Sequence, residues 1–92
     1  MARTAAEDLA RTLRAVADPT RLQVLSMILR TAEGEVTVGQ LAEHLGLRQP
    51  TVSHHLKIMV EDGLLERDAR GRNAWFSITP DRQSDISDLL GR

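Results

Sequence analysis

From residue 4 to residue 17, Ala6, Leu9, Ala10, Leu13, Val16 and Ala17 recur at helical spacing, with Arg3, Glu7, Arg11 and Arg14 opposite. That pattern predicts an amphipathic helix. Asp18-Pro19 stops it and opens another, with Asp as the cap and Pro at the first helical position. The second helix, about 19 to 31, carries Leu22, Val24, Leu25, Met27, Ile28 and Leu29. It is apolar over most of its circumference, which places it at the centre of a core. Ala32-Glu33-Gly34 breaks the pattern, and Glu35-Val36-Thr37 predicts one short strand. Thr37 and Gln40 then have the spacing of a capping box, in which each side chain satisfies a backbone N–H of the other's turn. A short helix with Leu41, Ala42 and Leu45 follows, and Gly46 ends it. Two residues later the next helix begins and runs to about Asp62, ended by Gly63. There the period changes from helical to alternating. Leu64–Arg67 and Ala74–Ile78 read as two strands joined by the loop 68–73. Thr79-Pro80 caps a last helix with Ile86, Leu89 and Leu90 on one side. The fold class is mainly α with a small β-hairpin, in one domain spanning 1–92.

Composition narrows the picture only slightly. The 92 residues are 41% hydrophobic and 27% charged, which suits a folded domain with a small core. No run approaches the roughly 18 apolar residues of a membrane span, and no signal-peptide pattern opens the chain, so a cytoplasmic location and no membrane partner are expected. There is no Cys, which removes disulfides, thiolate metal sites and thiol switches from this sequence. No nucleophile–base pair, phosphate loop or set of catalytic carboxylates is recognisable, so an enzyme is not expected. Net charge is −1, from 12 Lys and Arg against 13 Asp and Glu. A basic balance is usual for nucleic-acid binding, but a local basic patch suffices to hold phosphates. Trp75 and Phe76 are the only aromatics, too few for stacking on single-stranded bases.

The stretch "LRQPTVSHHLKIM" has an unusual polar face. An ordinary solvated helix carries Glu and Lys there. This one carries Arg48, Gln49, Thr51, Ser53, His54 and Lys57, short or hydrogen-bonding for the most part. Two short helices joined by a tight turn with Gly46 at its entry form a helix-turn-helix, whose second helix enters a DNA major groove. With Val52, Leu56, Met59 and Val60 facing inward, Gln49, Ser53, His54 and Lys57 face outward with Thr51 beside them. Such groups read base edges, while Lys and Arg hold phosphates. His55 lies near the Val52–Met59 side and is expected to be half-buried and bonded to a carbonyl. His54 and His55 point roughly 100° apart, so they cannot grip one metal ion from one face. His44 is expected in solvent.

The segments "ADPTRLQVL", "VGQLAEHLGL", "QPTVSHHLKIMVEDGLL" and "GRNAWFSI" follow one another as in the ArsR/SmtB family of bacterial winged-helix repressors. The chain resembles that family over roughly Leu9 to Pro80. The resemblance implies a homodimer that pairs through its first and last helices and binds a palindromic operator. Leu9, Leu13, Val16, Ile86, Leu89 and Leu90 are the candidate dimer residues. The hairpin becomes a wing, with Arg70 and Arg72 beside Gly71 contacting DNA. Arg48 departs from the family's small hydroxyl residue and is a poor helix cap, which suggests a phosphate contact.

The sensing sites depart further. Family members that sense arsenite or soft metals carry Cys-x-Cys where this chain has Thr37 and Gly39, which cannot bind thiophilic metals. Others use an Asp-x-His and a His pair in the last helices. Here Pro80-Asp81-Arg82 and Asp85-Ile86-Ser87 stand in that region, no histidine follows His55, and the far pair would fall at or past Arg92. No metal or other cofactor is expected, and an inducer, where one exists, is expected to be a small molecule. The rival reading is a winged-helix module for protein–protein contact.

Overall fold

The computed structural model describes residues 1–91. Its elements are α1 (Arg3–Val16), α2 (Pro19–Arg30), β1 (Glu35–Thr37), α3 (Val38–Leu45), α4 (Gln49–Glu61), β2 (Leu65–Arg70), β3 (Asn73–Ile78) and α5 (Pro80–Leu89). Three helix starts follow the local chemistry of the sequence to different degrees. Asp18 accepts a hydrogen bond from the Arg21 backbone N–H at 3.0 Å and caps α2. The Thr37–Gln40 capping box is complete, at 3.0 and 3.2 Å. Thr79 occupies the N-cap position of α5 but its side chain makes no capping bond, and its hydroxyl is buried without a partner. The Thr79 backbone N–H is instead tied to the Leu64 carbonyl at 2.9 Å, which orients the residue for the sheet rather than for the helix.

The strands form one antiparallel sheet in the order β1-β3-β2. β1 is therefore the third strand of the wing sheet, with Val36 opposite Phe76. The wing strands run longer than their apolar alternation, which stops at Arg67. Asp68, Ala69 and Arg70 continue the ladder opposite Trp75, Ala74 and Asn73, leaving only Gly71-Arg72 as the turn. Gly71 has φ +60°, which a two-residue hairpin of the type II′ kind needs at its first central position.

The core gathers Val24, Leu25 and Ile28 of α2, Leu41 of α3, and Val52, Leu56 and Met59 of α4 against Leu65, Phe76 and Ile78 of the sheet. Leu22 does not join it; at 38% exposure it lies on the one side of α2 that faces out. Of the expected dimer residues, Val16 (8% exposed) and Ile86 (1%) belong to the subunit's own core. Val16 sits with Thr12 and Ala15 on the side of α1 that packs on the domain, and Ile86 is the buried residue of α5. Leu9 (37%), Leu13 (44%) and Leu89 (50%) remain exposed, with Leu90 half-buried. No helix is long and apolar enough among the described residues to cross a membrane.

Candidate nucleic-acid interface

The helix-turn-helix is set by a few local contacts. α3 ends at Gly46, whose φ of +68° lets the chain reverse while its N–H still bonds the Ala42 carbonyl. The Leu47 N–H bonds the same carbonyl at 3.1 Å, and the Leu47 side chain packs against the core. Arg48 then occupies the N-cap of α4 with no capping bond from its side chain, so the first turn keeps N–H groups without a side-chain acceptor. Pro50 in that turn costs nothing, since its missing N–H would have had no helical partner.

On α4 the division of faces is sharp. Val52, Leu56 and Met59 are at most 1% exposed. Arg48, Gln49, Thr51, Ser53, His54 and Lys57 are all exposed. None of these six is held by a side-chain hydrogen bond or ion pair among the described residues, so the face is available to an outside partner.

His55 is half-buried, but its partner is not a carbonyl. Its Nδ1 accepts a hydrogen bond from Arg21 Nε at 3.3 Å and lies 3.9 Å from an Asp18 carboxylate oxygen. Arg21 also reaches the Ala15 carbonyl at 3.5 Å. One side chain thus links the end of α1, the start of α2 and the middle of α4. Arg21 was not singled out in the sequence because nothing local marks it; the link spans 34 positions. His54 points away into solvent, its ring 6.2 Å from that of His55 and inclined by 62°. His44 is exposed as expected. Among the described residues no cluster of three or more His, Cys, Asp or Glu side chains has metal-holding geometry, and Arg92 lies outside them.

The two wing arginines part company. Arg72, in the turn, is exposed and has no ion-pair partner among the described residues. Arg70 lies on the outer face of the sheet, alternate to the face that covers α4. There it pairs with Glu35 across β3, donates to Asp68 at 2.8 Å, and has its guanidinium carbon 5.2 Å from the centre of the Trp75 ring. The hydrogen bond that Arg70 donates to Glu35 raises the Arg70 pKa, with Asp68 adding to it against some desolvation. Strand parity explains the placement: residues 68–70 continue β2, so Arg70 shares a face with Asp68 and Trp75. Arg70 is thus held in an ion-pair and cation–π tie within the wing. Trp75 covers that outer face, while Phe76 enters the core.

The described family "Bacterial regulatory protein, arsR family" matches residues 18–67, from the cap of α2 into β2. The chain belongs to the arsR family of bacterial regulatory proteins. Among curated relatives, it is 42% identical to a probable mercury resistance operon repressor of Streptomyces lividans over 84% of this chain and 59% of that protein. The chain thus spans under two thirds of that relative's length. It is 31% identical to the transcriptional repressor SdpR of Bacillus subtilis, over 71% of this chain and 69% of that protein. Among solved structures, HlyU of Vibrio cholerae superposes with a TM-score of 0.84 at 29% identity, over 97% and 94% of the two chains. The transcriptional repressor PagR of Bacillus anthracis gives 0.81 at 30% identity, over 96% and 99%. The fold is therefore that of the family's winged helices.

Proposed function

We propose that this chain is a sequence-specific DNA-binding transcriptional regulator that acts as a homodimeric repressor on a palindromic operator. The observation that carries the reading is α4: its apolar side is wholly committed to the core, while its polar side offers unpaired hydrogen-bonding groups on a helix-turn-helix frame. Family membership supports the same reading, since the relatives named above are repressors. In this account Gln49, Ser53 and His54 meet base edges, and Arg48, Thr51, Lys57 and Arg72 meet the phosphate backbone. The exposed Leu9, Leu13 and Leu89 support pairing of two chains through α1 and α5, because leaving large apolar side chains in water forfeits roughly 25 cal/mol per Å². Titrating duplex DNA into the protein tests the reading. Binding that weakens steeply as salt rises is expected, and binding that ignores salt would point to the protein–protein module instead.

Release from DNA answers to a small organic ligand, a partner protein or protein abundance. These 92 residues contain no thiolate for a soft metal, and their three histidines do not converge. Zinc, cobalt or nickel at micromolar levels should produce no stoichiometric, chelator-reversible loss of operator binding.

A further inference from the structure

We propose that Arg67 is a phosphate-binding residue at the junction of the recognition helix and the wing, an assignment that rests on the DNA-binding reading above. The alternation of β2 places Leu65, Arg67 and Ala69 on the sheet face that covers α4. Leu65 is 2% exposed there, and Arg67 pairs directly with Phe76, itself 5% exposed. Glu66, Asp68 and Arg70 take the other face. Arg67 is thus the one basic residue of β2 that points to the same side as the recognition helix.

Two surface grooves meet at this side chain. One, of about 360 Å³, runs between the wing and α4 and is shared with Ser53 and Lys57. The other, of about 370 Å³, lies between the wing tip, the first turn of α3 and the start of α4, and is shared with Gln49, Arg72 and Asn73. The second groove has two arginines and no carboxylate among its lining residues. Its α3 wall is open as well, since a Cβ built on Gly39 would meet only Gln49 Nε2 and Thr37 Oγ1, both at 3.9 Å. Glu61 also lines the first groove, yet Arg67 forms no ion pair with it or with any other described carboxylate. Arg70, three residues on, is held by two.

When α4 lies in a major groove and the wing rests beside it, the ridge of phosphates between major and minor groove faces the junction between them. A cation there meets phosphate rather than base edges. It contributes affinity and register, and carries no sequence information. An arginine suits the position because its planar fork can grip two phosphate oxygens at once. Arg67 and Arg72, at the base and tip of one groove, then hold the same stretch of backbone.

The test is binding of the full chain to a labelled random-sequence duplex, followed by fluorescence anisotropy between about 50 and 200 mM salt. Arg67→Gln should lower the slope of log affinity against log salt by about 1.8 for the dimer, about 0.9 for each of its two copies, which makes the variant roughly 12-fold less salt-sensitive over that range. Arg67→Lys should keep a slope near that of the unaltered chain. Arg70→Gln should leave the slope unchanged, since that charge is already neutralised within the wing. An unchanged slope and affinity in Arg67→Gln would overturn the assignment while leaving DNA binding in place. Equal loss in the Gln and Lys variants together with a lowered melting temperature would overturn it too, because Arg67 would then be acting on the fold. An unaltered chain that shows no salt-dependent binding to duplex would remove the DNA-binding reading itself, and this site with it.

Discussion

On α4 the apolar residues Val52, Leu56 and Met59 are 0%, 1% and 0% exposed, and the opposite polar side is open; on α1 the inner residues are Thr12, Ala15 and Val16, while Leu9 and Leu13 are 37% and 44% exposed. Both helices are amphipathic, yet they leave opposite halves unmatched. A polar face without partners suits a polar ligand, and an apolar face without cover suits another apolar face. In the function proposed above, the contrast suits α4 to recognition and α1, with Leu89 of α5, to pairing.

The largest effect expected from breaking this contrast is in the core. Leu56→Ala should cost about 2–5 kcal/mol of stability, because the cavity it leaves lies between α4 and a close-packed interior. Thermal or denaturant unfolding measures it. A loss below about 1 kcal/mol would mean that α4 is not anchored as described.

Next comes the pairing face. Leu13→Glu should weaken self-association by about 2 kcal/mol or more, since it places a charge in the middle of an apolar contact. Sedimentation at decreasing concentration reads the dissociation, and circular dichroism should show the subunit still folded. Dissociation unchanged from that of the original chain would take α1 out of the interface.

Replacement of single recognition residues should be smaller and more selective. Ser53→Ala and His54→Ala should each cost roughly 1–3 kcal/mol at particular base pairs and little at others. A uniform loss across all sequences would reassign those two side chains from reading to holding. Smallest, and confined to local order, is Thr37→Ala, which removes one half of the capping box and should cost about 1 kcal/mol of stability.

How much of this was legible in the sequence depends on the range of the contact involved. The helices, the turn at Gly46 and the capping box were readable because each rests on residues three or four apart whose roles are local. The outward face of α4 was readable too, since helical periodicity sorts inside from outside once Val52, Leu56 and Met59 are taken as inner. The wing was only half readable. Its apolar alternation ends at Arg67, so the loop reading of 68–73 left no parity by which to separate Arg70 from Arg67. The ladder continues to Arg70 through backbone pairing with β3, and backbone pairing leaves no mark on side-chain chemistry. Val16 and Ile86 sat on apolar stripes broad enough to serve either the core or a partner. Only the packing of α1 and α5 on the domain decides which edge of each stripe is covered. The Arg21–His55 link joins two residues with no local signal at either end.

The central claim is that two copies of this chain present α4 to successive major grooves of one duplex. The most direct measurement is selection of bound sequences from a random duplex pool, with the stoichiometry of the complex determined on the selected site. The account predicts a two-fold symmetric motif with half-sites about 34–36 Å apart, one helical turn, occupied by two chains. A single chain binding one isolated half-site with full affinity, or a pool that enriches no motif at all, would contradict it.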